Sequence, residues 1–132
     1  MLPETTIQRL TPLLAGQPVD LAYYLRPLPR GVLTAAQGGL ALLFAPTTNP
    51  AQRYDLSQRL RFQLIGVLPA GHTEVIVLND ARLAIAAAAL AKGMLVYNRD
   101  EAHRLRYETM ILSEMLDFTA TIRRYLGAET PG

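Results

Sequence analysis

Two apolar runs close together restrict the fold more than anything else in the chain: residues 19–25, VDLAYYL, and residues 40–44, LALLF. The first is rich in β-forming residues and stops at Pro27 and Pro29, which have no N–H to give to a ladder. Both read as buried strands, and their small separation favours antiparallel pairing. The stretch from 26 to 45 reads RPLPRGVLTAAQGGLALLFA and holds no Asp, Glu, Ser or His. Magnesium takes hard oxygen ligands and usually reaches a protein through one or two carboxylates, and this stretch offers none.

Helical patterns surround these strands. Ile7, Leu10, Leu13 and Leu14 predict a short first helix over 4–15, weakened by Pro12 and ended by Gly16. Asn49-Pro50 opens a second helix, with Asn as cap and Pro at the first helical position; Leu56, Leu60, Leu64 and Val67 give its apolar stripe, and Pro69 and Gly71 close it. Residues 73–78, TEVIVL, form a third strand. Asn79-Asp80 then caps an alanine-rich helix over 81–92, which Gly93 ends in the left-handed conformation. Residues 94–97, MLVY, give a fourth strand. In the last helix, 99–126, Ile111, Met115, Phe118, Ile122 and Tyr125 recur at steps of four and three, up to Gly127. This order predicts an α/β (α+β) fold, a small mixed sheet packed with helices. One domain is expected over 1–132, with a helical N-terminus (1–17), a core over about 19–126 and a frayed tail (127–132).

Composition removes several classes of function. With no cysteine there is no disulfide, thiol nucleophile or cysteine-ligated metal. The longest apolar run, 81–96, is interrupted by Arg82 and Lys92 and is too short between them to cross a bilayer, so no membrane partner is expected. MLPETTIQRL lacks the parts of a signal peptide, and a cytoplasmic location is the expectation. Thirteen cations face 11 anions, a balance too even to predict nucleic-acid binding. The nearest basic patch, Arg53, Arg59 and Arg61 beside Tyr54 and Phe62, reads as a solvated helix face.

The carboxyl-terminal third, LAKGMLVYNRDEAHRLRYETMILSEMLDFTATIRRYL, resembles the ending of the minimal nucleotidyltransferase family, small bacterial and archaeal members of the DNA polymerase β-like superfamily. There a Gly-x-x-x-Tyr strand precedes a charged helix with a Tyr/Phe-Leu-Asp-Phe type segment, here Met115-Leu116-Asp117-Phe118. TEVIVLN is similar to the family's strand bearing its third carboxylate. The resemblance, over roughly 19–126, implies a nucleotidyltransferase-like fold. Family members carry Gly-Ser and then Ala-Arg-Gly at the first turn, followed by Asp-x-Asp on the next strand. Here Arg26 and Pro27 stand at Gly-Ser, Arg30-Gly31 matches the end of the turn, Gln37 and Gly39 fall on the two aspartates, and Glu74 matches the third acid. One carboxylate cannot offset the repulsion between two divalent ions about 4 Å apart.

What the resemblance implies is therefore a catalytically degenerate member, with no catalytic residue, no metal and no cofactor. Relatives are often antitoxins neighbouring a helical HEPN-type ribonuclease toxin, which implies a HEPN-like protein partner or a homo-oligomer. Two alternatives stay open. One is an active enzyme using Mg²⁺ and a nucleoside triphosphate, with relocated ligands such as Glu74 with Asp20 or Asp55; the other is a nucleotide-sensing module that grips phosphate through Arg26 or Arg30. Glu74 is either a relic ligand or the solvent-facing residue of an alternating strand. His72 and His103 lie about 30 residues apart without ligand spacing and read as surface residues. Tyr23 and Tyr24 read as packing residues. On the last helix Arg104 can pair with Glu101 and Glu108, while Met110, Met115 and Leu116 widen the apolar surface.

Overall fold

A computed structural model describes residues 2–26, 38–69 and 71–127. The elements run α1 (Glu4–Ala15), β1 (Val19–Leu25), β2 (Gly39–Phe44), α2 (Pro50–Leu64), β3 (Glu74–Val77), a 3-10 turn (Leu78–Asp80), α3 (Leu83–Lys92), β4 (Met94–Asn98) and α4 (Glu101–Gly127). The strands form one mixed sheet in the order β3-β2-β1-β4. β1 is antiparallel to β2 and β4, and β2 is parallel to β3.

Every residue of β1 and β2 is buried, as sequences apolar at all positions but Asp20 require. On one face Val19, Ala22, Tyr24, Leu40, Leu42 and Phe44 pack with Leu10 and Leu14 of α1 and Leu60 and Leu64 of α2. On the other, Leu21, Tyr23, Leu25, Ala41 and Leu43 pack with Ala86 and Ala89 of α3 and Tyr107 and Ile111 of α4. Val19 and Leu21, two apart, would share a face in a regular strand. A register shift between them sends them to opposite faces.

The sequence pattern locates each element, but several local devices differ from expectation. α1 continues through Pro12 for most of a turn, because the missing N–H forfeits only one intrahelical bond and the Gly16 N–H still closes on the Pro12 carbonyl at 3.2 Å. α2 opens with a full capping box: the Gln52 N–H donates to Asn49 Oδ1 at 2.8 Å, and the Asn49 N–H donates to Gln52 Oε1 at 2.9 Å. Asn79 does not cap α3, which starts at Leu83 with no side-chain cap. Its amide accepts from the Phe44 N–H at 2.8 Å and donates to the Phe44 carbonyl at 3.0 Å, standing in for a strand partner where β3 has ended. Gly93 is not left-handed, with φ −81 and ψ 158. Glycine is needed there for space, since a Cβ would sit 2.4 Å from the Ala89 carbonyl oxygen and 3.0 Å from Tyr23 Cβ.

These two asparagines give a graded test. Asn49→Ala loses one cap and is expected to cost about 1 kcal/mol. Asn79→Ala strips both partners from a buried strand residue and is expected to cost about 2 kcal/mol. Urea denaturation midpoints of the two variants check the order.

Candidate functional site

Gly39 and Glu74 lie opposite each other where β2 and β3 begin. The strands approach so closely that a Cβ at position 39 would lie 1.9 Å from the Glu74 carbonyl oxygen and 2.7 Å from its nitrogen. Only glycine fits this register. β3 is half-buried along its length instead of alternating, and the Glu74 carboxylate accepts from Arg61 Nη2 at 2.5 Å. Pro27, Arg30, Gly31 and Gln37 lie outside the described residues. Arg26 lines a cavity of about 180 Å³ with Tyr24, Lys92 and Met94, so two cations meet at this end of the sheet.

The proposed substitute ligands are not brought together. Asp20 sits at the start of β1, beside the Phe44 end of β2, whereas Glu74 pairs with the Gly39 end. Five residues of strand separate those ends, on the order of 15 Å. Asp55 faces solvent on α2 and pairs with Arg59 at 3.0 Å. Among the described residues, no group of three or more His, Asp or Glu side chains could hold a metal ion.

The three arginines of the basic patch are each ion-paired within the chain: Arg53 with Asp80 at 2.8 Å, Arg59 with Asp55, and Arg61 with Glu74. The bond from Arg53 holds the Asp80 carboxyl below its ordinary range. Tyr54 and Phe62 are largely exposed beside them. The face is self-compensated, but only in part solvated as the sequence suggests: Arg59 is exposed, whereas the Arg53 side chain is 11% exposed against Asp80 and Thr48.

Both histidines are working parts of the fold and not plain surface residues. His103 Nδ1 meets Asp20 Oδ2 at 2.7 Å, giving a partner to the lone buried acid of β1. His72 Nδ1 meets the Tyr24 hydroxyl at 2.6 Å. Burial raises the Tyr24 phenol, and the charge of Arg26 opposes that shift. Spacing in the sequence carries no sign of such pairs.

A chain of side-chain bonds fixes the first half of α4 to the sheet. The Tyr23 hydroxyl donates to Glu108 Oε2 at 2.5 Å, and Arg104 donates to Glu108 Oε1 at 3.0 Å and also to Glu101. Burial first, and then the bond to Glu108, pushes the Tyr23 phenol well above its ordinary value. Arg99, two residues before α4, adds a second tie, donating to the carbonyls of Ala15 and Gln17 at 2.9 and 2.8 Å, at the C-terminal end of α1 and just past it.

The second half of α4 is different. Its apolar stripe begins in the core at Ile111 and half-buried Met115, but Phe118, Ile122 and Tyr125 are 54%, 41% and 81% exposed. Leu112, Leu116 and Leu126, each more than half exposed, widen it into a broad apolar band. From 112 to 126 only Met115 is even half-buried. A helix of 27 residues extends about 40 Å, and this domain covers only its first part.

No protein-family model matches the chain, and no curated protein matches it. Solved structures do. One is of a tri-AMPylated Shewanella oneidensis HEPN toxin in complex with MNT antitoxin, with 15% identity, a TM-score of 0.62 and 96% of both chains covered. A second, the toxin–antitoxin MntA-HepT, has 16% identity and a TM-score of 0.61, covering 96% of this chain and 97% of that one. A third, a toxin–antitoxin with AMP-PNP, has 18% identity and a TM-score of 0.60, covering 97% and 98%. At these identities the likeness establishes the fold, which is nucleotidyltransferase-like: a four-strand mixed sheet packed with four helices.

Two measurements follow from this geometry. Gly39→Asp is expected to destabilise the chain by at least about 3 kcal/mol, because the new Cβ meets backbone on the paired strand; chemical denaturation reads it. The buried phenols make stability alkali-sensitive. Tyr23 is raised, and Tyr107 is pushed up to about 12, by burial first and then by the charge of Glu114. A raised phenol favours the folded state fully below the unfolded value of about 10 and loses that contribution as pH climbs through the folded value. Unfolding free energy should therefore fall above about pH 10, and less steeply in Tyr23→Phe.

Proposed function

We propose that this chain is a non-catalytic, minimal-nucleotidyltransferase-like protein that acts by protein association, as the antitoxin-like partner of a HEPN-type protein. The observation that carries this reading is α4. Its root is locked to the sheet by Tyr23, Glu108 and Arg104, while its outer half holds out Leu112, Leu116, Phe118, Ile122, Tyr125 and Leu126 to solvent. Exposed apolar surface of this extent marks an interaction site in a folded protein. Solved proteins of the same fold are described in complexes of MNT antitoxin with HEPN toxin, which supports a partner of that kind.

Two features support the absence of catalysis. Position 39, aligned with a metal-binding aspartate, accommodates no Cβ, and Glu74 is engaged by Arg61. Neither leaves a pair of carboxylates to share two metal ions.

The test is co-expression with the protein encoded beside this chain, followed by size-exclusion chromatography with light scattering. A stable complex is expected, since a standard interface buries about 800 Å² on each partner. Leu116→Glu and Met110→Glu should dissociate it while leaving the isolated chain folded. A homodimer on the same helix would show by its mass. Labelled ATP with magnesium or manganese and the purified partner should leave no label on either protein. Label that disappears on Glu74→Ala would overturn the non-catalytic reading, and a chain that stays monomeric beside its neighbour would overturn the association.

A further inference from the structure

Along the outer half of α4, Met115, Phe118, Ile122 and Tyr125 recur at steps of three and four, the spacing of helices that pack along a shared seam. At about 100° of rotation per residue, Leu112, Thr119 and Leu126, seven apart, fall on one flank of that seam, and Glu114 and Thr121 on the other. The charges are ordered as well: the acids Glu114 and Asp117 come first, and Arg123 and Arg124 follow. Among the described residues none of these four makes an ion pair, whereas the root of the helix is braced by Arg104 with Glu101 and Glu108.

Laid antiparallel against a second copy, one register answers all of these positions. Met115 meets Tyr125 of the second copy, Phe118 meets Ile122, and the two-fold relation repeats both contacts. A two-fold axis perpendicular to the helix pair keeps each flank facing its own counterpart. Leu112 then stands opposite Leu126 of the second copy, Thr119 opposite Thr119, and Glu114 near Thr121, so no two acids meet. Sliding by one heptad leaves half of the seam unopposed. The acidic start of each outer half also lies level with the basic end of the other, which Coulomb attraction favours. A parallel pair would turn Leu126 toward Thr121 and crowd both domain bodies at one end; the antiparallel pair sets them at opposite ends.

The flank that carries Leu112 also holds a cavity of about 280 Å³ between α3 and α4, with Leu90, Ala91, Leu112 and Met115 in its wall. In the antiparallel register Leu126 of the second copy comes level with it, between the heights of Leu112 and Met115. We propose that the free chain is a two-fold homodimer in which the outer halves of α4 pack antiparallel and Leu126 of each copy seats in the α3–α4 cavity of the other. The area suffices. The six apolar side chains of the band are 41–81% exposed; at roughly 200 Å² for a fully exposed large side chain they offer on the order of 700 Å² per copy. A standard interface buries about 800 Å² on each side, and the α3 edge of the cavity adds to the band. This inference goes beyond the association reading above: a second copy covers the residues that a HEPN-type partner would use, so the two compete for one surface.

The test is light scattering of the whole chain without any partner, where a two-chain mass is expected at high micromolar concentration. Leu112→Lys and Leu126→Glu should each weaken the dimer at least about tenfold, because each sets a charge against a leucine of the second copy. Both positions face solvent in the single chain, so circular dichroism of the variants should be unchanged. Mixing the two variants should restore the two-chain mass, since the new lysine of one faces the new carboxylate of the other and the reciprocal leucine pair is intact. Variants that stay apart on mixing would overturn the antiparallel register, and variants as dimeric as the parent would overturn α4 as the contact. A parent chain that is monomeric at high micromolar concentration would overturn the homodimer, while the partner reading stands or falls on its own co-expression test. A homodimer that forms no partner complex would support this pairing and overturn that reading. A partner complex that still contains the paired α4 helices, weakened by either variant and restored by mixing, would overturn the competition.

Discussion

β1 and β2 can exist only if both of their faces are covered, because all of their residues are buried, Asp20 included. A sheet with one wet face is therefore excluded, and two layers of helix are required, α1 and α2 on one side and α3 and α4 on the other. Each large aliphatic side chain taken fully out of water contributes roughly 1.5–3 kcal/mol, so this central hairpin holds much of the favourable energy. It also sets the polar requirements. Asp20 needs a partner, and His103 on α4 supplies one. Tyr23 needs one, and Glu108 supplies it. The helix that answers both demands is fixed in rotation and height against the sheet.

That fixing divides α4 into halves with different physics. Up to Ile111 it belongs to the core, with charged residues at steps of three and four bracing it. Beyond Met115 the same apolar repeat continues with nothing of this domain to pack against. The repeat does not change where the support ends. A sequence selected only for a stable monomer has no reason to keep Phe118, Ile122 and Tyr125 in register with Ile111, whereas a surface that continues the core into a second body does.

The order and type of the four strands and four α-helices were legible, because each strand is a mostly apolar run and each helix shows its period. The antiparallel pairing of residues 19–25 with 40–44 followed from the short distance between them. What escaped the sequence were contacts made across the fold by residues with several possible uses. Asn79 stands where a helix cap belongs, yet its amide reaches β2, because α3 begins four residues later. Gly93 occupies a helix end, where a left-handed cap is common, but the pressure on it comes from the Ala89 carbonyl and then from Tyr23 and Leu25. His72 and His103 carried no local signal. The one available hint was the acid at position 20 in an otherwise apolar strand, which had to be answered from elsewhere. Of the aligned site positions only Arg26, Gly39 and Glu74 fall among the described residues. For Gly39 the sequence showed that a carboxylate is absent, but not that the backbone excludes one.

This last difference changes what the glycine means. An aspartate lost by drift leaves room for its return, and the surrounding strand would still bend around the vacated side chain. At position 39 the paired strand occupies that room: the Glu74 carbonyl oxygen stands 1.9 Å from where a Cβ would be. Close approach lets the β2–β3 ladder start one pair earlier, with the Glu74 N–H donating to the Gly38 carbonyl at 3.3 Å. Arg61 then neutralises the carboxylate that faces out. The first pair of the ladder and a carboxylate at 39 are mutually exclusive, and the sheet takes the pair. Whatever happens at this end of the molecule proceeds without an acid at that position, with Arg26 and Lys92 as the cations that meet there.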